Sequence, residues 1–235
     1  MKRKPVFDRF RELDQKKINR DYQIHTQWTD GHHAPAEIIE KAEQAGLDSI
    51  AFTEHIRRES DYFKDFYKEL DQLREKAAIE IFIGVESKVI NDEGKLDISE
   101  PNYALAEIIL GSVHRVPYKE GFVHPKELEK QKLFDLELDL SLAMVRAGKI
   151  HVLAHPAGMS VRLHGEFPAQ YYQKLIESIS KTAVAFELNS KYMNPAMFKI
   201  VIDLCRRYDP FVSIGSDVHK LEELGNAKKM VGAVL

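Results

Sequence analysis

Short β-rich runs alternate with longer stretches of helical spacing almost from one end of this chain to the other, and that alternation limits the fold more than any other feature. The strand-like runs are residues 22–25, 49–53, 79–85, 108–113, 151–154, 184–188 and 211–215. Between them, apolar residues recur at helical intervals. Ile38, Ile39, Ala42 and Ala45 mark one stretch, and Phe63, Phe66, Leu70, Leu73 and Ala77 the next. Leu133, Leu136, Leu140, Met144 and Ala147 mark a long one, followed by Leu175, Ile176 and Ile179 and then by Met197, Val201 and Leu204. Strand-then-helix repetition predicts a parallel sheet with helices outside it. Seven such strands favour a closed, distorted barrel over an open doubly wound sheet, and no glycine-rich phosphate loop follows the first strand. A length of 235 residues suits one α/β domain.

Local signals punctuate the pattern. Pro35, Pro125, Pro168 and Pro195 fall where a first helical turn tolerates a missing N–H, and Asn194 can cap the helix that Pro195 opens. Gly46 and Gly148 close two helices. Residues 91–94 read as a hairpin turn inserted after the third strand. Residues 1–19 form an N-terminal extension ahead of a barrel domain spanning 20–235. Phe10, Leu13 and Lys17 predict a weakly amphipathic helix there, covering the barrel's closed end.

A net charge of −3 gives no general attraction to nucleic acid or to an anionic membrane. No apolar run approaches the length of a membrane span, and the charged first residues lack the apolar stretch of a secretion signal, so the default expectation is a cytoplasmic protein. Cys205 is the single cysteine, which excludes an internal disulfide and a thiolate zinc cluster. It shares a helical face with Val201, Leu204 and Tyr208 and reads as a buried helix residue.

Ligand-type residues gather where the strands end. His25 closes the first strand, Glu54 and His55 follow the second, Glu86 the third, His114 the fourth and His155 the fifth; Asp217 and His219 follow the seventh. In a parallel barrel all these ends open onto one rim, so imidazoles and carboxylates distant in sequence converge on one cup. Imidazole nitrogen with carboxylate oxygen suits zinc, manganese or iron.

The words around these residues resemble those of the PHP (polymerase and histidinol phosphatase) family over about residues 20–220. Asp21-Tyr-Gln-Ile-His-Thr-Gln-Trp-Thr-Asp-Gly31 is similar to its opening motif, Asp-x-His-x-His-Thr-x-x-Ser-Asp-Gly, and Ala51-Phe-Thr-Glu-His55 to its Thr-Asp-His element. Gly84-Val-Glu86, Gly111-Ser-Val-His114, His155-Pro156 and Gly215-Ser-Asp-Val-His219 match four further motifs in order. The resemblance implies a distorted TIM-like (β/α)7 barrel holding two to three divalent transition metal ions. It implies His25, Glu86 and Asp217 around one ion, Glu86, His114 and His155 around a second, and Asp30, His55 and His219 around a third. Two positions depart from the pattern. Gln23 stands where the opening motif has its first histidine and would be a weak ligand at best. Glu54 replaces an aspartate beside His55, a change expected to fall on the surroundings of the ligands more than on the ligands themselves.

Together these features predict a metal-dependent phosphoesterase acting on a small phosphomonoester, histidinol phosphate among the family's substrates, by metal-activated water. Asp217 or His219 would position the water or relay the leaving-group proton. A guanidinium is expected at the phosphate, Arg115 first, with Arg57 and Arg162 as further candidates. Lys191 and Tyr192 rank below these, and Glu187 is expected to hydrogen-bond inside the barrel. Slight acidity and the lack of aromatic–basic interleaving favour a small phosphorylated substrate over a nucleic acid strand. The alternatives are a 3′-end nuclease and a non-catalytic metal-binding scaffold.

Overall fold

The computed structural model describes residues 3–118 and 121–235. In chain order come β1 (Asp8–Arg9), β2 (Arg20–Ile24), α1 (Pro35–Gln44), β3 (Ser49–Ile56), α2 (Phe63–Arg74), β4 (Glu80–Lys88), α3 (Glu100–Leu105) and β5 (Ile108–Ser112). A ribbon, β6 (Val116–Tyr118) and β7 (Gly121–Val123), precedes α4 (Lys130–Ala147). Then follow β8 (Val152–Leu153), α5 (Gly158–His164), α6 (Ala169–Ile179), β9 (Ala185–Asn189), α7 (Pro195–Tyr208), β10 (Phe211–Gly215) and α8 (Asn226–Gly232). Strands β2, β3, β4, β5, β8, β9 and β10 lie side by side in that order, all parallel. They match the seven runs expected from sequence. The β6–β7 ribbon, α5 and α8 were not anticipated, although Ala227, Met230, Val231 and Val234 mark α8 at helical spacing.

The ring closes over a narrow seam. His25 N donates to Val218 O at 2.9 Å and Val218 N to Gln23 O at 3.0 Å, just past the end of β10. At the opposite end of that seam β1 runs antiparallel to β10, pairing Asp8 with Val212 and Arg9 with Phe211. The Arg20 guanidinium ties β1 to the start of β2 through Val6 O at 2.9 Å and Asp8 Oδ2 at 2.7 Å. The barrel is therefore splayed at its N-terminal end and shut at its C-terminal end.

This arrangement corrects the expectation for residues 1–19. In place of an α-helix, the described part forms β1 and a 3-10 turn at Phe10–Glu12. The splayed edge of β10 offers backbone groups that need partners, and an extended segment supplies them where a helix cannot. Phe10 and Ile18 are buried in the core there.

Period-two alternation divides the core. Tyr22, Ala51, Phe82, Ile108, Leu110, Val152, Ala154 and Ala185 form one apolar cluster, while residues such as Ile50, Phe52, Ile81 and Ile83 belong to a larger one that includes the helices' apolar faces. Continuing the first set up each strand in steps of two gives Thr53 and His55, Glu86, and Glu187 and Asn189. The same inward face is thus apolar at one end of the barrel and polar at the other. A register shift in β2 between Asp21 and Ile24 lets Tyr22 join the apolar floor while Gln23 reaches the polar level above it.

The 91–94 turn is present: Gly94, at φ +83°, donates its N–H to Asn91 O at 3.2 Å, and Val89 pairs antiparallel with Leu96. A side chain at Gly94 would overlap the Ala143 carbonyl of α4. Cys205 is buried in α7, its thiol pKa pushed far up by that burial. Among the described residues no helix is long and apolar enough to cross a membrane.

Candidate metal centre

Glu86, at the inward position near the end of β4, is the hub of the cup. Its Oε1 lies 2.8 Å from His155 Nε2 and 3.0 Å from His114 Nε2. Its Oε2 lies 3.3 Å from His25 Nε2 and 3.5 Å from His55 Nδ1. Asp217 Oδ1 approaches His25 Nε2 at 3.2 Å, and Asp30 Oδ2 approaches His55 Nε2 at 3.3 Å and His219 Nε2 at 3.4 Å. Within this cup, three sets of donor atoms fall within 4.8 Å of one another: His25, Glu86 and Asp217; His55, Glu86 and His114; and His25, Asp30, His55 and His219. His155 adjoins the second set, 3.4 Å from His114 Nε2. All eight residues expected as ligands therefore converge.

The surroundings explain how they are held. Both His155 and Asp217 have left-handed backbone, at φ +28° and +52°, a conformation retained only where neighbours enforce it. Glu187 Oε2 accepts the His155 N–H at 2.5 Å. Asp21 accepts Ser216 N and Gly225 N, each at 2.9 Å, and so fixes the turn that presents Asp217. Glu54 falls in none of these donor sets. It accepts Thr26 N at 2.7 Å and the Thr29 hydroxyl, pinning the loop that carries Asp30. His32 and His33 stay outside the cup, His33 pairing loosely with Glu37 at 3.8 Å.

Gln23 departs from the weak-ligand expectation. Lys191 N donates to Asn189 Oδ1 at 2.8 Å, so Asn189 Nδ2 faces Gln23 Oε1, at 3.0 Å. That leaves Gln23 Nε2 to donate to Glu86 Oε2 at 3.2 Å. The carbonyl, the only atom of the amide able to ligate, points away from the cup.

The residues fit divalent cations. His25 is fully buried and lies within ion-pair distance of three carboxylates, yet neither ring nitrogen makes a hydrogen bond. A buried ring left without hydrogen bonds beside carboxylates suits a donor for a cation. The electrostatics ask for positive charge as well. Burial disfavours ionised Glu86 and opposes protonation of His25, but the imidazoles around Glu86 hold its pKa well below the usual range, and Asp217 and Glu86 raise that of His25. Burial likewise opposes a charged His155, and Glu86 overrides it, raising the pKa to about 9. Protons balance these carboxylates in the bare protein, and bound metal would displace them.

A family model described as the PHP domain matches residues 21–195. The chain belongs to the PHP domain family. A protein of Caldicellulosiruptor bescii called a probable phosphatase is 24% identical over 199 residues, covering 82% of this chain and 75% of that protein. The DNA polymerase/3′-5′ exonuclease PolX of Bacillus subtilis is 27% identical over 227 residues, covering 92% of this chain but 37% of its own length. A histidinol phosphate phosphatase of Lactococcus lactis, solved with zinc, L-histidinol and phosphate, superposes with a TM-score of 0.66 at 20% identity, covering 91% of this chain and 93% of that one. A candidate histidinol phosphatase of Listeria monocytogenes superposes with a TM-score of 0.74 at 15% identity, covering 90% and 99%. These superpositions establish the distorted TIM-like barrel.

Above the cup of this PHP domain lies a cleft of about 270 Å³, lined by ligand-type residues and by His124, Lys126, Met159, Arg162, Leu163 and Tyr192. Of the three arginines expected at the phosphate, Arg162 lines it. Arg57 and Arg115 are exposed and are not among its lining residues. The chain turns away at Arg57, whose N–H is taken by Ser60 Oγ at 3.0 Å, and Arg115 sits in the turn before β6, where its charge stays hydrated. Lys191 Nζ donates to Asp217 O at 2.9 Å and lies 3.1 Å from His219 Nδ1. The Tyr192 ring packs 5.1 Å from that of His155. His124 and Lys126 follow the unanticipated ribbon, and no motif in the sequence marks them.

Proposed function

We propose that this PHP domain is a metal-dependent phosphoesterase that hydrolyses a small phosphomonoester. The observation that carries the reading is the position of Glu86, whose two oxygens each face a different pair of imidazoles at the floor of the cleft. A carboxylate so placed could be shared between neighbouring cations. Zinc, manganese or iron bound there would lower the pKa of a water and neutralise phosphoryl oxygens as charge develops. His25, His55, His114, His155, Asp30, Glu86, Asp217 and His219 would hold them.

The remaining work falls to the chain. Asp217 and His219, both steadied by Lys191, stand at the cleft wall where a water must be oriented and a leaving-group proton supplied. Arg162, on the last turn of α5, is the one expected arginine that lines the cleft, where its guanidinium suits an anionic group of the substrate. A volume near 270 Å³ lies just under the roughly 300–1,000 Å³ usual for small-molecule sites, which supports a compact substrate. The phosphatase names among the relatives support the same class. Similarity to the B. subtilis polymerase–exonuclease over 92% of the chain favours 3′-end hydrolysis as the second reading.

The test is turnover by protein loaded with zinc or manganese, offered an aryl phosphate, histidinol phosphate, nucleoside monophosphates and a short oligonucleotide. Asp217→Asn and His155→Ala should each lose about a thousandfold or more in kcat with unchanged circular dichroism. Full activity in both variants would overturn the mechanism. Oligonucleotide cleavage without phosphomonoester turnover would select the nuclease. Neither activity in protein that holds metal would leave a binding scaffold.

A further inference from the structure

Beyond the cup, every charged side chain lining the cleft is a cation. The two carboxylates at its wall, Asp30 and Asp217, belong to the ligand set. The other ionisable groups are His124, Lys126, Arg162 and Tyr192. Neither Lys126 nor Arg162 forms an ion pair with a described residue. His124 Nδ1 accepts the Lys126 N–H at 3.1 Å, so the neutral ring carries its proton on Nε2 and offers a further donor. A depression alongside shares Arg162 and Tyr192 with the cleft and adds Lys191.

The placement is built rather than incidental. Arg162 rides on α5, which begins three residues after His155, and Glu137 of α4 anchors that helix by accepting Met159 N at 3.0 Å and Ser160 N at 2.8 Å. One short helix, anchored at its start, thus carries both the turn after His155 and the exposed guanidinium of Arg162 to the cleft. Lys126 stands in the 3-10 turn Pro125–Glu127, whose proline is buried. Charged walls of one sign select a ligand of the other sign and repel their own.

Resting on the phosphomonoester reading above, we infer that the substrate carries a second anionic group, a carboxylate or another phosphate, a short chain away from the phosphoryl group, and that Lys126 and Arg162 recognise it. A substrate with a cationic far end, such as the phosphate of an amino alcohol, would bring like charges together in the same space.

Non-hydrolysable phosphonates separate this inference from the question of turnover. Zinc-loaded protein is titrated calorimetrically with 3-phosphonopropionate, 3-hydroxypropylphosphonate, 3-aminopropylphosphonate and propane-1,3-bisphosphonate. The two ligands with a second anionic group should bind about tenfold or more tightly than the hydroxyl compound, with the amine weakest. Their relative order tells a carboxylate partner from a phosphate one. In Lys126→Gln and in Arg162→Gln the advantage over the hydroxyl compound should shrink by about threefold to tenfold. Equal binding of all four, a preference for the amine, or an advantage undiminished in both variants would overturn the inference. If the order holds while no phosphomonoester is hydrolysed, the phosphatase reading falls and the anion selectivity stands.

Discussion

Gln23 gives Glu86 a hydrogen bond from Nε2 to Oε2 across 3.2 Å, at the position where the PHP opening motif has its first histidine. The amide satisfies one lone pair of the hub carboxylate without adding a ligand atom. Replacing it by imidazole restores one. Gln23→His should therefore raise the metal retained after exhaustive dialysis by about one equivalent, read by elemental mass spectrometry. Unchanged stoichiometry would show that position 23 lies outside the reach of any ion in the cup.

Gly215 is the last residue of β10, and a methyl group there would overlap Glu187 Oε1 and crowd Gln23. Gly215→Ala should lower the unfolding free energy by about 1–3 kcal/mol in urea titrations, the usual cost of overpacking a filled interior. Because the displaced Glu187 holds the His155 N–H, zinc affinity should fall as well.

Glu187 also predicts a pH dependence. Burial raises its pKa from 4.5 to about 8, outweighing the opposing effects of His155. Between those values the folded state keeps a proton that the unfolded chain has released, so stability falls as pH rises through the interval. The contribution is complete below 4.5 and gone above about 8, and amounts to a few kcal/mol at most. In metal-free protein, Glu187→Gln should flatten the plot of unfolding free energy against pH over this range. Matching slopes in the two proteins would mean that the carboxyl stays ionised inside the barrel.

Glu137 is a buried carboxylate within α4 that accepts two backbone N–H groups at the start of α5 as well as the Ser160 hydroxyl. Glu137→Ala strands those donors and should cost about 2–4 kcal/mol. Hydrogen exchange at Met159 and Ser160 should accelerate more than exchange in α4 itself. Uniform acceleration would argue for a general loosening instead.

Much of this was readable from residue order. The seven parallel strands follow from alternation of strand and helix spacing, and β10 matches its expected bounds, residues 211–215. The convergence of His25, Glu86, His155 and Asp217 follows from topology, because parallel strands bring all their C-terminal ends to one rim. Other features depend on tertiary context. Residues 8–9 become a strand because the edge of β10 lacks a partner, not because of their own propensities. The orientation of the Gln23 amide is set by the Lys191 N–H acting through Asn189, a relay between strands that no sequence window contains. Arg57 and Arg162 look equivalent along the chain, each a few residues beyond a ligand. A turn carries one away from the cleft and a helix carries the other over it.

The seam between β2 and the segment after β10 has a consequence for assembly. Peptide hydrogen bonds linking Val218 with Gln23 and His25 close it, and His25 and Asp217 stand on opposite sides of it with one carboxylate oxygen 3.2 Å from one imidazole nitrogen. A cation held by both would act as a rivet joining the first barrel strand to the last, enclosing nearly the entire intervening chain in a single loop. The site that includes Asp217 needs both ends of the barrel, so a cation held there would lock the closed topology, whereas His55, Glu86 and His114 lie on or just past successive strands and need no such closure.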